Sequence, residues 1–200
     1  MTSAFSLAFV FLAEDPANKK QYDWPAQKIE DYLKAADLTH ISNEVSFIPE
    51  CTTMKKLPMR FCASPKYMKS LEAIGTDIVE LTGNHNNDYG HKWNTYTINQ
   101  YKDKGWRYFG GGLNEADAAK ILYTKEKGTR TAFIGYNYYD TLYKTNALAF
   151  AKTAGGNSWS LAKMKKDISE AKQNADVVIV NFQFQECYCY TQGNTSCYKP

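Results

Sequence analysis

The 200-residue sequence lacks several patterns that would define a function class. None of its five cysteines lies in a Cys-x-x-Cys pair, which argues against a zinc ribbon and a thioredoxin-like site. Basic residues are mixed with acidic ones and the net charge is only +3, so we expect no nucleic-acid partner. The length suits one domain with a sizeable core.

A membrane-spanning run is also lacking in the sequence. The apolar run at residues 3–13 is too short to cross a bilayer, and no Lys or Arg precedes it as in a signal peptide. Its aromatic and β-branched side chains predict a buried first strand. We therefore expect any targeting segment to lie outside this chain.

The cysteines fall into two groups. Cys51 and Cys62 flank a polar loop, and they are either disulfide-bonded or two buried free thiols. We expect the disulfide, which would indicate an oxidising compartment. Cys187, Cys189 and Cys197 would hold one disulfide with a leftover thiol or bind a soft metal, and the disulfide is favoured because no histidine is near.

A repeated unit organises the chain: a helix, an Asp, a short apolar strand and a polar cluster. Its three copies read IEDYLKAADLTHISNEV, MKSLEAIGTDIVELTGNHNND and ISEAKQNADVVIVNFQFQE. Such an alternation predicts an α/β sheet.

Helical spacing of apolar residues predicts helices that begin near Pro25, Ser64, Tyr89 and Ser160. Gly75 and Gly105 are expected to end the second and third of these helices. The apolar faces are Ile29, Leu33 and Ala36 in the first helix, Met68, Leu71 and Ile74 in the second, and Leu161, Met164, Ile168 and Ala171 in the last.

Turn residues mark three connections. The stretch 120–138 predicts a β-hairpin with its turn at Lys127-Gly128. The glycines at 110–112 predict a tight turn, and Asn114 is the expected N-cap of the helix that follows. Residues 140–157 show no period and predict a long surface loop.

Ligands of open α/β sheets bind beyond the carboxyl ends of the strands. The three predicted strands end in polar clusters at residues 42–44, 83–88 and 181–186. If the strands are parallel neighbours, these clusters converge, and the sequence predicts a site there.

The middle cluster carries the strongest chemical signal. Asn84, His85 and Asp88 supply the oxygen and imidazole donors that bind Zn, Mn or Fe. His85 can also act as a general acid, because its ordinary pKa lies near working pH. Six polar residues exceed what a chain-reversing turn needs, which is the structural alternative. Glu44 would be a carboxylate ligand or base, with a solvated strand-end residue as the equal alternative.

Further polar residues near the strand ends are predicted to hydrogen-bond a substrate. They are Asn43, Asn87, Gln183, Gln185 and Glu186. His40 lies inside a strand and is predicted as a core histidine, whereas His91 is predicted on the first turn of a helix, facing solvent.

At these residues the sequence resembles the CapA-like capsule synthesis (poly-γ-glutamate capsule) family. HISNEV resembles its Asn-Leu-Glu segment, and ELTGNHNNDYG resembles its Asn-Asn-His…Asp-Tyr-Gly signature and the Gly-Asn-His motif of the metallophosphoesterase superfamily. FGGGLNEADAAK and TAFIGYN resemble the segments that follow. The match keeps the family's order from about Trp24 to Tyr190.

The resemblance implies a four-layer αββα metallophosphoesterase-like sandwich, incomplete at its C-terminus, with residues 1–200 as the N-terminal portion of a single domain. It also implies a bacterial, extracytoplasmic role in making or exporting an anionic polymer such as poly-γ-glutamate. The implied partners are that polymer or its precursor and other capsule-synthesis membrane proteins.

Carried over residue by residue, the resemblance implies metal ligation by Glu44, Asn84 and His85, and catalysis by His85 and Asp88. Three departures from the family pattern stand out. Only Asp15 corresponds to the family's opening Gly-Asp motif, and Gln183-Phe184-Gln185 replaces its His-Trp-Gly segment, so a metal-ligand histidine is absent. The later His-containing segment of the family is not in this chain. Three functions stay open: a metal-dependent hydrolase, a non-catalytic polymer-binding or assembly module that has lost metal ligands, and a periplasmic or surface binding module that uses the tyrosines.

Overall fold

The computed structural model describes residues 21–51, 60–138 and 146–183. Several predictions fall on other parts of the chain and lie outside the described residues. They concern the strand at 3–13, the substrate-binding residues Gln185 and Glu186, and the group Cys187, Cys189 and Cys197.

Strands and helices alternate through the described ranges. The strands are β1 His40–Ser42, β2 Ser46–Phe47, β3 Cys62–Ala63, β4 Ile78–Glu80, β5 Arg107–Phe109, β6 Gly111–Gly112, β7 Leu122–Glu126, β8 Thr129–Asn137, β9 Gly155–Gly156 and β10 Val177–Gln183. The α-helices are α1 Glu30–Lys34, α2 Met68–Ala73, α3 His91–Asp103, α4 Glu115–Ala118 and α5 Leu161–Asn174, and a 3-10 turn spans Pro65–Tyr67. The predicted α/β class is therefore confirmed.

The first sheet joins the first two copies of the repeated unit. Its order is β1-β4-β5 and all its pairs are parallel, with Ile41 opposite Val79 and Val79 opposite Tyr108. β4 is central and fully buried, as expected for an apolar strand covered on both faces. The carboxyl ends of β1 and β4 therefore lie side by side.

The strand of the third copy, β10, does not join the sheet of the first two copies, although one common sheet was the simple expectation. β10 lies parallel to β8 in a second sheet of order β10-β8-β7, not beside β1 or β4. β7 and β8 form the predicted hairpin, with Lys127 and Gly128 both at positive φ as a two-residue turn requires. β8 is nine residues long, and β10 pairs with seven of its residues.

The two sheets meet at a small apolar cluster and at two glycines. Ile78 and Phe109 from the first sheet pack with Phe133 from the second. At Gly135 a Cβ would lie 2.6 Å from both Cα of Gly110 and Cγ2 of Thr82. The backbones approach so closely there that no side chain fits.

Helices cover each sheet on its other side. Ile98 and Tyr101 of α3 pack with Val79 of β4. Ala171 of α5 packs with Ala132 and Ile134 of β8. Within the described ranges, no helix combines the length and apolar character needed to cross a membrane.

Helix ends largely follow the predicted signals. The side chains of Ser160 and Asn114 accept hydrogen bonds from backbone N–H groups in the first turns of α5 and α4. Gly75 and Gly105 take positive φ just after α2 and α3. Ser64 precedes the Pro65 turn without a side-chain cap.

Two sequence predictions hold only in part in the described ranges. The helix expected from Pro25 consists of turns up to the short α1, and Ile29 is 42% exposed whereas Ala26 is buried. The loop expected at 140–157 is exposed at some described residues, such as Phe150, but Ala147 and Ala154 are buried. In the same segment, β9 pairs antiparallel with β6.

The Cys51–Cys62 disulfide is confirmed, with the two Cα atoms 5.9 Å apart. In the described ranges β10 has β8 as its partner, and it exposes Val177, Ile179, Val180 and Phe182.

The close approach of the two sheets at Gly135 predicts that a side chain at this position destabilises the fold. We expect Gly135→Ala to lower the free energy of unfolding by about 1–3 kcal/mol, because its new methyl group collides with Gly110 and Thr82. Gly105→Ala is the control, since it changes only a positive-φ position with no atom within 4 Å. Urea unfolding measures both variants, and a loss at Gly135 no larger than at Gly105 would contradict the packing described.

Candidate functional site

The candidate site is built on the chain that leaves β4. Residue 85 forms a parallel bridge with Val45, just past β1. Gly83 permits this approach, because a Cβ there would lie 2.5 Å from Cγ and 2.7 Å from Cα of Glu44. The bridge and the glycine place Glu44 against the turn that carries Asn84 and His85.

Two buried asparagines hold this turn in place. The Asn86 amide donates to the carbonyls of Leu81 at 3.3 Å and Gly83 at 3.2 Å, and the Ser46 hydroxyl donates to the carbonyl of Asn86. Buried irregular backbone must find such partners, because water is excluded. Asn86 therefore fixes the shape of the turn.

Asn87 has a structural role as well. Its amide donates to the carbonyls of Asn146 at 2.7 Å and Ala154 at 3.1 Å, and its own oxygen accepts from Asn94 at 3.0 Å. The side chain is 5% exposed. Asn87, a predicted substrate-binding residue, thus ties the turn to the segment around 146–154.

His85 and Asp88 form a pair at the surface of the turn. Nδ1 of His85 lies 2.8 Å from Oδ2 of Asp88, and that oxygen also accepts the backbone N–H of Phe61 at 2.7 Å. The Phe61 ring meets the His85 ring edge to face, with centroids 4.6 Å apart. The side chains of His85 and Asp88 are 22% and 14% exposed to solvent.

The amide of Gln183 joins the second sheet to the first at the site. At the end of β10, Nε2 of Gln183 donates to Oε1 of Glu44 at 3.0 Å and to Oδ1 of Asn84 at 2.9 Å. The three strand ends predicted to converge therefore do converge, although β10 reaches the site from another sheet.

Burial dominates the electrostatics of Glu44. Desolvation raises the pKa of its carboxyl, attraction to His85 lowers it, and repulsion from the buried Glu80 raises it further. The hydrogen bond from Gln183 favours the ionised form. Ionisation of Glu44 is therefore less favourable in the folded protein than in the unfolded chain.

Asn43, another predicted substrate-binding residue, makes hydrogen bonds inside the protein. Asn43 donates to the carbonyl of Val45 and the hydroxyl of Tyr101, each at 2.6 Å, so its amide is engaged within the protein. Burial raises the pKa of that Tyr101 hydroxyl. Asn43 is therefore an internal link beneath the site.

Among the described residues, the contacts of the two other histidines are with partners other than Glu44 and Asp88. His40 packs against Phe109 and Phe133 as predicted for a core histidine, and burial lowers its pKa. His91 begins α3, but the prediction that it faces solvent is wrong. Its Nδ1 lies 2.6 Å from the carbonyl of Ala154 and its Nε2 3.0 Å from Oδ1 of Asn146, because the buried part of 146–157 packs against it.

In this structure, the donors predicted to hold Zn, Mn or Fe make hydrogen bonds to protein side chains. The oxygens of Glu44 and Asn84 accept from Gln183, and Nδ1 of His85 pairs with Asp88. Over residues 21–51, 60–138 and 146–183, no group of three or more His, Cys, Asp or Glu side chains is placed to hold a metal ion. Such sites need three or more good ligands, so no chemical step here is assigned to a metal.

Comparison with known proteins identifies the family. A model of the bacterial capsule synthesis protein family PGA_cap matches residues 11–194. The chain belongs to this family. The capsule biosynthesis protein CapA of Bacillus anthracis is 32% identical over 130 residues, which make up 63% of this chain and 31% of that protein. The alignment thus covers about a third of the relative.

In this member of the capsule synthesis family, Phe61 is a site residue that the sequence analysis did not predict. Phe61 reaches Asp88 because β3 pairs with β2, a contact between segments distant in sequence. Its position next to Cys62 was the available signal, since a predicted disulfide fixes where its neighbours lie.

The raised pKa of Glu44 predicts a pH-dependent stability. A carboxyl whose pKa is higher in the folded state does not lower the free energy of unfolding below its unfolded pKa of about 4.3, because it is protonated in both states there. The free energy of unfolding falls as the pH rises through the folded pKa. We therefore expect Glu44→Gln to raise the free energy of unfolding relative to wild type at about pH 7, with the difference shrinking toward pH 4.

Urea unfolding at both pH values measures this difference. Glu72→Gln, which replaces a carboxylate with 46% side-chain exposure on α2, is the control for a surface charge. A Glu44→Gln difference that grows as the pH falls would show the opposite sign and contradict the burial argument.

Proposed function

We propose that this chain takes part in making or exporting an anionic capsule polymer of the poly-γ-glutamate type, and that His85 and Asp88 transfer a proton during cleavage of a bond in that polymer or its precursor. Family membership supports the process. The hydrogen bond from His85 to Asp88 supports the chemistry, and it is the observation that carries the proposal.

The roles follow from the two ring nitrogens of His85. Asp88 accepts the proton on Nδ1, which fixes the tautomer and leaves the lone pair on Nε2. Among the described residues, no hydrogen bond to Nε2 is found. As a base, Nε2 takes a proton from water; as an acid, it returns that proton to the leaving group of an amide or phosphoester bond.

The substrate would lie over the ends of β1, β4 and β10. Asn84 and Gln183 bring amide groups to this edge, and Glu44 brings a carboxylate. We propose that these groups orient the polymer next to His85. Gln185 and Glu186 lie two and three residues after Gln183 in the chain and stay substrate-binding proposals.

We also propose the wider setting that the family resemblance implies. A four-layer αββα sandwich is supported by α3 packing on the first sheet and α5 on the second. An extracytoplasmic location is supported by the disulfide. We propose other capsule-synthesis membrane proteins as partners.

A second candidate function is a polymer-binding or assembly module without catalysis. The amide of Gln183 supports it, because its donors engage the oxygens of Glu44 and Asn84 where a cation would need them. In this case the same edge of the sheets binds the polymer without cleaving it.

Substitution of the pair separates the two functions. In the full-length protein, we expect His85→Ala to lower the kcat for cleavage of poly-γ-glutamate by about 100- to 10,000-fold, because a general acid–base group is removed. Asp88→Asn should lower kcat less, since the ring remains. His91→Ala is the matched control, because this histidine contacts the 146–154 segment and not Asp88.

The readouts are polymer chain length over time and equilibrium binding of the polymer. Unchanged turnover in His85→Ala would remove His85 from the mechanism. Polymer that binds wild type and His85→Ala equally, with no cleavage by either, would establish the binding module instead.

A further inference from the structure

The Cys51–Cys62 disulfide is one residue along the chain from Phe61, which contacts the His85–Asp88 pair. Cys62 begins β3, and Cys51 ends a short turn in which its N–H donates to the carbonyl of Ile48 at 3.0 Å. Both cysteines are only partly buried. Phe61, the residue before Cys62, makes the contacts that connect this disulfide to the site.

Phe61 touches both members of the His85–Asp88 pair. Its N–H donates at 2.7 Å to Oδ2 of Asp88, the oxygen that lies 2.8 Å from Nδ1 of His85. Its ring packs against the imidazole at 85°. The N–H fixes the carboxylate and the ring fixes the imidazole, so Phe61 sets the geometry of the pair.

Phe61 also packs against the core cluster that includes Phe47 and Val79, and the segment that carries it is joined to β2 by a short pairing. β2 and β3 pair over two residues each, and the N–H of Ile48 adds one hydrogen bond to Ala63. So short a pairing is marginal by itself. The disulfide is a covalent link one residue from Phe61, and it restrains that residue where the pairing is weak.

The backbone of His85 is held by different contacts. Val45 bridges residue 85, and the hydrogen bonds of Asn86 and Ser46 hold the turn. None of these contacts passes through Phe61. Loss of the disulfide would therefore remove one restraint on Phe61 and none of the contacts that hold the turn of His85.

We propose that Phe61 is a positioning residue for the His85–Asp88 pair and that the Cys51–Cys62 disulfide holds it there, which makes the pair sensitive to reduction. The reductant is a dithiol. Its two sulfur atoms give two electrons and two protons, the Cys51–Cys62 bond breaks to two thiols, and the dithiol closes to its own disulfide. The catalytic consequence rests on the proposed function; the positioning itself does not.

Ring signals of the histidines test the proposal without a substrate. The sequence has three histidines, so their ring carbon–proton signals can be assigned by single substitutions. Spectra are recorded for oxidised wild type, for wild type with dithiothreitol, and for Cys51→Ser/Cys62→Ser with and without dithiothreitol. The double variant shows whether other cysteines cause any response to the reductant.

We expect reduction to move the His85 signals of wild type, to leave those of His40 and His91 in place, and to have no effect on the double variant. Phe61→Leu, which keeps the disulfide and the backbone N–H, should also move the His85 signals with the rest of the spectrum retained. Cleavage, measured in parallel, should fall by up to about 100-fold on reduction with KM unchanged.

Three results would overturn the proposal: His85 signals that do not respond to reduction, His85 signals unchanged in Phe61→Leu, or general unfolding of the double variant. A His85 response in a protein that cleaves no polymer would support the positioning role of Phe61 and count against the proposed catalysis alone.

Discussion

Burial of irregular backbone is the constraint on which this structure depends. Beyond β4 the chain leaves its sheet while still enclosed, so its carbonyl groups need donors from the protein. Asparagine side chains supply them: Asn86 donates to the carbonyls of Leu81 and Gly83, and Asn137 donates to that of Thr82. Replacing such an amide leaves a buried carbonyl without a partner, which costs about 1–3 kcal/mol. The turn that presents His85 is rigid because these bonds are made.

The site that rests on this turn has two parts with different chemistry. On one side, the amide of Gln183 links Glu44 and Asn84 across the two sheets. On the other, Asp88 and Phe61 orient His85. The first part is closed by its own hydrogen bonds and suits recognition of a polymer, whereas the second leaves a ring nitrogen for proton transfer. Family membership makes a capsule polymer the natural ligand to propose for both.

Sequence patterns predicted the local features well and the long-range ones less well. The caps at Ser160 and Asn114, the Lys127-Gly128 turn and the disulfide depend on neighbouring residues or on one loop, so their signals are explicit. The pairing of β10 with β8 and the burial of 146–157 depend on which distant segments meet, and no local period records that. Asn87 shows the same limit, since a polar residue in a polar cluster gives no sign that three backbone carbonyls enclose it.

The central claim is that Asp88 holds the proton of His85 on Nδ1 and leaves Nε2 available for proton transfer. The most direct measurement is the tautomer of neutral His85, read from the nitrogen-15 chemical shifts of its two ring nitrogens. If Asp88 orients His85, Nδ1 is protonated, Nε2 is not, and Asp88→Ala loses this preference. A proton on Nε2 in the wild-type protein would exclude this role, because the nitrogen proposed to accept a proton would already carry one.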